Sequence, residues 1–169
     1  MTELGLVRAD MREIIGKPFR GSVSYPVSAS DVRRWAIAVY FPEPPPDRFL
    51  ADGAAAPLDF NPFAWGAAET VPTGVEINLD PAYRSTGAME HNLGVRPPDL
   101  RRALNGGMSV SYTGVAIAPG DVVTAESFVS DYTEKQGRLG AMLITEVATV
   151  WKNQRGEQIK RSSSTLIRY

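Results

Sequence analysis

The last third of the chain constrains the fold most strongly, because short extended runs alternate there with turn-forming residues as far as the C-terminus. Four runs have the β-branched content and the alternating pattern that are typical of strands. They are Met108–Tyr112, Val122–Tyr132, Met142–Lys152 and Gln158–Tyr169. The turns between them are Ala118–Asp121, Glu134–Arg138 and Asn153–Gly156. Successive strands joined by short turns predict an antiparallel meander.

The front of the chain, from Met1 to Phe41, predicts a mixture of helix and strand. A short helix ends near Gly16, and the extended segment SVSYPVS follows it. Ser28 and Asp31 have the spacing of a capping box, with Asp in place of the usual Glu, and Pro42 ends the helix that they open. Apolar residues recur at helical spacing between these limits: Val32, Trp35, Ala36 and Val39. Helices that precede a run of antiparallel strands indicate an α+β fold, and the length predicts a single domain over residues 1–169.

The interval from Pro42 to about Leu104 is rich in proline and glycine and has no sustained periodicity. It therefore predicts loop, with at most short helices or turns. A loop of that length in a compact domain suggests a functional or interface role. It also fits a segment that only covers one face of the sheet.

Composition narrows the classes of partner. The 18 Lys and Arg residues nearly balance the 19 Asp and Glu residues, so there is no basic field to attract nucleic acid or an anionic membrane. The chain has no cysteine and a single histidine, so we expect no metal site. No run approaches the roughly 20 apolar residues of a membrane span, and the N-terminus has no signal-like apolar core. We therefore expect a cytoplasmic protein.

Four blocks between Leu104 and Arg168 carry a family resemblance: LNGGMSVSY, APGDVVTAESFVSDYTEKQGRLGAM, an NQRGE turn and SSSTLIRY. Their order and spacing resemble those of the N-terminal domains of the MaoC-like dehydratases. IGKPF and YPVSASDVRRWAIAV resemble the opening helix, strand and capped helix of the same domains. The resemblance implies a hot-dog domain from a group that hydrates enoyl thioesters of coenzyme A or acyl carrier protein. It implies no cofactor apart from that thioester substrate.

A hot-dog domain is named for its long central helix, and we do not expect this chain to keep the whole of it. Prolines are spread through the interval where the resemblance is weakest: Pro57, Pro62, Pro72, Pro81, Pro97 and Pro98. Proline breaks or kinks helices. We therefore expect an antiparallel sheet with a shortened or missing central helix.

Active members of the group resemble one another in an Asp-x-Asn-Pro-x-His element just after the capped helix, whose Asp and His act as general acid and base. Matching that element through Pro44 places Phe41 at the Asp position, Glu43 at the Asn position and Pro46 at the His position. Neither Phe nor Pro can transfer a proton. The resemblance thus implies a chain that has no catalytic residue of its own.

His91 is the one histidine of the chain and a candidate substrate-binding residue. It would form an acid–base dyad if it were paired with Glu90, Asp80 or Glu69. A lone histidine in a loop is more often structural or on the surface. The sequence leaves both interpretations open.

The family includes heteromeric hydratases in which one subunit carries the Asp and His while a degenerate partner shapes the acyl tunnel. The resemblance therefore implies a non-catalytic, substrate-shaping subunit in fatty-acid, steroid or polyketide metabolism, bound to a hot-dog partner that supplies the Asp/His pair. Four residues would line the tunnel: Phe60, Asn61, Phe63 and Trp65. Ordinary core or dimer packing would explain the same aromatic residues.

Glycine and arginine supply further candidates. Gly106 and Gly107 would let backbone amides approach a thioester carbonyl, although a bulge or a tight strand entry needs glycine equally. Arg101, Arg102 and Arg138 would contact coenzyme A phosphates or would simply be solvated.

Two other functions remain open from the sequence. One is a self-sufficient homodimeric hot-dog thioesterase or hydratase, since a thioesterase can activate water with a carboxylate alone. The other is an acyl-binding or scaffold module that catalyses nothing. The missing Asp-x-Asn-Pro-x-His element argues against a self-sufficient hydratase, but it does not separate a silent subunit from a scaffold.

Overall fold

The computed structural model describes residues 4–64, 68–71, 85–138 and 140–169, without the side chains of 68–71. The helices are α1 (Ala9–Glu13), α2 (Ala29–Tyr40) and α3 (Ala88–His91), with 3₁₀ turns at Asp47–Phe49 and Ser85–Gly87. The strands are β1 (Pro18–Ser24), β2 (Ala68–Val71), β3 (Ala103–Tyr112), β4 (Val123–Gly137), β5 (Gly140–Asn153) and β6 (Gln158–Arg168).

Helix α2 begins and ends where its sequence predicts. The Ser28 hydroxyl accepts the backbone N–H of Asp31 at 3.1 Å, and the Asp31 carboxylate accepts the backbone N–H of Ser28 at 3.0 Å. Both bonds of a capping box are therefore present. Phe41 has left the helical conformation, with ψ 136°, immediately before Pro42. Val32 and Ala36 are buried and Trp35 is partly buried, so these three positions of the predicted apolar stripe face the core. The prediction is wrong for Val39, which is 48% exposed near the end of the helix.

The described strands form one antiparallel sheet in the order β2-β1-β4-β5-β6-β3. Strands β4, β5 and β6 are the predicted meander. The prediction is wrong for β3, which pairs with β6 instead of β4, with Met108 opposite Ser164. The connection after β3 carries Ile117 into the core and pairs its carbonyl with the N–H of Ala56 at 2.7 Å. Strand β4 therefore lies three positions away from β3 in the sheet, with β5 and β6 between them.

The turn predicted at Glu134–Arg138 starts too early. Residues 134–137 continue β4 and stay paired with β5, with Glu134 opposite Leu143 and Gly137 opposite Gly140. The chain reverses between these two glycines, and Gly140 has φ +107°. Glycine adopts such a conformation without the penalty that a Cβ would bring.

The interval from Pro42 to Leu104 is mostly loop in its described parts, as predicted, but it also contains β2, which the sequence did not reveal. Strand β2 pairs with β1 at the edge of the sheet, with Gly21 opposite Val71. The central helix is short: α3 has four residues, and its Met89 packs on the sheet with Val129 and Leu143. An α+β hot-dog fold with a shortened central helix is therefore confirmed.

The core lies on one face of the sheet, called here the core face, and is divided into two clusters. The α2 cluster contains Val27, Val32, Ala56, Phe60, Ile117, Val123 and Ile159. The α3 cluster contains Val7, Met11, Met89, Val129, Tyr132 and Leu143. Along β4 the core-face positions run Val123, Ala125, Ser127 and Val129 because side chains alternate along a strand. The small residues Ala125 and Ser127 thus separate the two clusters.

Two of the turn motifs contact each other. The Asp121 carboxylate of the Pro-Gly-Asp turn accepts the N–H of Ala118 at 2.9 Å and the side-chain amide of Gln154 at 2.9 Å. Partial burial alone would raise the pKa of Asp121, but these hydrogen bonds and the nearby Arg155 guanidinium lower it overall. The motifs thus have a structural role, since they join the β3–β4 connection to the β5–β6 turn.

Candidate functional site

A cleft of about 210 Å³ lies over the core face between the α2 and α3 clusters. Three neighbouring strands form its floor, and strand register explains its composition. The floor residues are Arg20 and Ser22 from β1, Ala125 and Ser127 from β4, and Thr149 and Trp151 from β5. Arg20 lies opposite Ser127, and Ser127 opposite Thr149, so these polar side chains form one row across the sheet.

The wall of the cleft comes from the loop after Phe60. Asn61 and Phe63 line it, and the Asn61 side-chain oxygen accepts the N–H of Phe63 at 3.0 Å. The Phe63 ring packs edge-on against Trp151, with 5.1 Å between ring centroids. The cleft therefore has a polar floor and an aromatic wall.

Lys160 contacts this wall from the side of the sheet. It lies opposite Trp151 on β6, is almost fully buried, and donates a 2.9 Å hydrogen bond to the carbonyl of Phe60. Its ammonium lies 4.2 Å from the centroid of the Trp151 ring, within the range of a cation–π contact. Burial lowers the pKa of Lys160, and Asp59 opposes that effect only in part. A buried ammonium thus ties the wall to the sheet.

The structure separates the four predicted tunnel residues. Asn61 and Phe63 line the cleft, whereas Phe60 is fully buried in the α2 cluster and meets Trp35 edge-on. Core packing therefore accounts for Phe60, although its carbonyl anchors the wall. Trp65 lies outside the described residues.

The other predicted contacts do not line this cleft. His91 is buried on α3 and borders a separate cavity of about 200 Å³, together with Arg96 and Arg101. Gly106 and Gly107 form the bulge where the register of β3 against β6 shifts, and Gly107 has φ +131°. The bulge that the sequence offered as an alternative explains this glycine pair.

Glu90 does not form a dyad with His91. Its fully buried carboxylate accepts two hydrogen bonds from the Arg168 guanidinium, at 2.6 and 3.0 Å, and one from the Tyr132 hydroxyl at 2.8 Å. Arg168 also donates to the Thr145 hydroxyl at 2.9 Å. Of the other suggested partners for His91, Asp80 and the Glu69 side chain lie outside the described residues.

This buried group was missed by sequence reasoning, although the SSSTLIRY block at the C-terminus contained its arginine. Burial raises the pKa of Tyr132, and the adjacent Glu90 carboxylate raises it further. A bidentate guanidinium–carboxylate pair with two hydroxyl partners satisfies nearly every polar atom. The arrangement leaves Glu90 no freedom to act as a base.

The positions matched to the family's Asp and His are both occupied by groups that do not titrate. Phe41 follows α2 and is 79% exposed, while Pro46 precedes the 3₁₀ turn at Asp47–Phe49. Glu43, between them, is exposed.

No group of three or more His, Asp or Glu side chains within the described residues is placed to hold a metal ion. None of the helices in the described part is long and apolar enough to cross a membrane.

Comparison with solved structures defines the class of fold. A MaoC-like dehydratase from Rhodospirillum rubrum is 18% identical, with 93% of this chain and 94% of that chain covered and a TM-score of 0.50. The ChsH1–ChsH2 complex from Mycobacterium tuberculosis contains a similar chain that is 14% identical, with 95% of this chain and 89% of that one covered and a TM-score of 0.60. These likenesses confirm the hot-dog fold.

A family model described as the FAS1-like dehydratase domain region matches residues 13–162. The chain belongs to this family, which confirms the resemblance drawn from its motifs. A search of curated proteins gave no match.

Proposed function

We propose that this chain is the non-catalytic, substrate-shaping subunit of a heteromeric enoyl-thioester hydratase or dehydratase. One observation carries the proposal: the described lining of the cleft contains no carboxylate and no imidazole. It offers hydroxyls, one amide, one guanidinium and aromatic rings. None of these serves as a general acid or base near neutral pH in the way that Asp or His does.

The segment in which active relatives carry their acid and base supports the same proposal. Phe41 is exposed and Pro46 has no titratable atom. Two buried titratable residues, Glu90 and His91, do not take their place, because Glu90 is bound by Arg168 and His91 borders a different cavity. A self-sufficient hydratase would need a proton-transferring pair at one substrate position.

The exposed edge of the sheet supports a protein partner. Among the described strands, β3 pairs with β6 alone, and all ten residues of β3 are exposed. It presents large apolar side chains: Leu104, Met108, Val110 and Tyr112, of which Met108 is 73% exposed. An unpaired edge with apolar side chains favours association with another strand. A second hot-dog subunit, which brings the Asp/His pair, fits this edge.

The similar chain from Mycobacterium tuberculosis belongs to a complex of two components, ChsH1 and ChsH2. Its likeness extends over nearly the whole of this chain. By analogy, we propose the same kind of assembly here, with an acyl thioester of coenzyme A or acyl carrier protein as the substrate.

Expression of the chain alone and together with the hot-dog protein encoded by its neighbouring gene tests this proposal. We expect the two proteins to co-purify and to hydrate an enoyl-coenzyme A only when both are present. Full hydration activity of the isolated chain would refute it, and a stable but inactive pair would favour a scaffold.

The β3 edge can be tested in the same experiment. Met108→Glu places a charge on the proposed interface and should abolish co-purification. Ile15→Glu is the matched control, because Ile15 is also an exposed apolar residue but lies next to β4, away from the β3 edge. Loss of the complex in both variants would show general misfolding and would leave the edge unsupported.

A further inference from the structure

The floor of the cleft retains hydrogen-bonding capacity that the fold does not use. The hydroxyls of Ser127 and Thr149 lie 2.8 Å apart and share one hydrogen bond. Two hydroxyls joined by one bond keep one hydrogen to donate and several lone pairs. The pair lies at partly buried positions in the middle of the core face.

The rim adds further donors. The Asn61 oxygen is used by the Phe63 N–H, which leaves the Asn61 amide hydrogens to face the cleft. The Arg20 side chain makes no hydrogen bond or ion pair with any described residue, and its guanidinium presents five N–H donors. Arg20 is also the only charged residue in the described lining. Donors therefore predominate, and a matching ligand must bring acceptor oxygens.

The wall imposes a second requirement. Phe63 and Trp151 present aromatic surface, and Ala125 leaves room above the floor. At about 210 Å³ the cavity is smaller than the roughly 300–1,000 Å³ that encloses a drug-sized molecule. It fits one end of an acyl group, with an apolar skeleton against the rings and an oxygen against the floor.

We propose that the cleft binds the distal end of an acyl group that carries a carbonyl or carboxylate oxygen, and that it discriminates against a plain hydrocarbon. The Ser127–Thr149 pair holds a carbonyl oxygen, Arg20 pairs with a carboxylate, and Phe63 and Trp151 pack on the skeleton. Burial of these donors under a hydrocarbon would leave them without partners, which costs affinity. This inference rests on the proposed function, since it concerns the acyl group of that substrate.

Three probes of nearly the same shape test it: the N-acetylcysteamine thioesters of cyclohexylacetic acid, of its ring ketone and of its ring carboxylic acid. Their affinities are measured by calorimetry with the full chain, both alone and co-purified with its partner. We expect an oxygenated probe to bind at least about fivefold more tightly than the hydrocarbon, as one neutral hydrogen bond implies.

Substitutions at two positions identify the oxygen. Thr149→Val should remove the preference for the ketone, and Thr149→Ser should restore it. Arg20→Met should remove the preference for the carboxylate and leave that for the ketone unchanged. Thr124→Val is the matched control, because Thr124 lies on the opposite face of β4. It should change none of the three affinities.

Equal affinities for the three probes, or no binding of any probe, would overturn the inference. A preference that persists in both Thr149→Val and Arg20→Met would do the same. Binding is measured without turnover, so its outcome is independent of the hydration test. Hydration by the isolated chain would refute the proposed function and leave the order of affinities intact.

Discussion

The two ends of the core face use polar residues in opposite ways. At the α3 end, the buried side chains of Glu90, Arg168, Tyr132 and Thr145 hydrogen-bond one another, and the Arg168 Nε alone among their polar atoms lacks a partner within the described residues. In the cleft, Ser127 and Thr149 are only partly buried and keep unused donors and acceptors. A polar group that is fully paired within the protein serves its stability. One that is left partly unpaired at an accessible position is available to a ligand.

The largest effect on stability is expected at the α3 end of the core face, where the buried polar groups bond one another. Arg168→Met would leave the Glu90 charge buried without its partner, and we expect the free energy of unfolding to fall by about 3–5 kcal/mol. Chemical denaturation measures it. Arg33→Met is the control, because the Arg33–Asp52 pair is exposed and should contribute only about 0–1 kcal/mol. Similar losses in the two variants would remove the distinction between the ends.

Tyr132→Phe should have the next largest effect, since it removes the hydrogen bond to the Glu90 carboxylate. Bonds to charged groups contribute about 1.5–3 kcal/mol. The pKa of Tyr132 is raised in the folded state, so the unfolded state loses its proton first as the pH rises. Wild-type stability should therefore fall above pH about 10, relative to Tyr132→Phe. Parallel pH profiles of the two proteins would contradict this account of the network.

Substitution of Lys160 should change the free energy of unfolding by a smaller amount, and we expect that change to depend on pH. Its pKa is lowered from 10.5 by burial, so between the folded and unfolded values the unfolded state binds more protons. Stability should then rise with pH across that window, whereas Lys160→Met should lack this rise. Urea unfolding of both proteins at several pH values measures the difference. If the difference in stability is constant with pH, the ammonium is not desolvated in the folded protein.

The smallest effect on stability is expected in the cleft. Ser127→Ala should cost at most about 1 kcal/mol, because it removes one neutral hydrogen bond and leaves Thr149 near solvent. The same change should weaken an oxygenated probe about fivefold. Thermal unfolding and calorimetry on one preparation measure both. A loss of stability comparable to that of Arg168→Met would show that Ser127 serves to stabilise the fold and not to bind a ligand.

Local chemistry made parts of the fold predictable. The capping box at Ser28 and Asp31 and the turn motifs at Asp121 and Asn153 lie where the sequence indicated, because each depends on residues a few positions apart. The pairing of β3 with β6 could not be inferred in this way. It is non-local, and the turn residues before β4 suggested a hairpin that does not form.

The candidate site also has one part that the local sequence indicates and another that depends on non-local strand pairing. Asn61 and Phe63 line the cleft, and they could be proposed in advance because an aromatic and amide cluster in a loop is visible in the sequence. The polar row of Arg20, Ser127 and Thr149 depends on the register of three strands whose residues lie more than a hundred positions apart in the sequence. No local motif could therefore predict it. Glu90 and Arg168 are likewise 78 residues apart. Pairing of that kind becomes evident only in the folded chain.

The central claim is that this chain shapes the substrate site while its partner performs the chemistry. Titration of the chain into a fixed concentration of the purified hot-dog partner, with enoyl-coenzyme A hydration as the readout, tests this most directly. The rate should rise until the two proteins are equimolar and then remain constant, and the chain without its partner should show no turnover. A rate that continues to rise in proportion to the chain beyond equimolarity would contradict the claim.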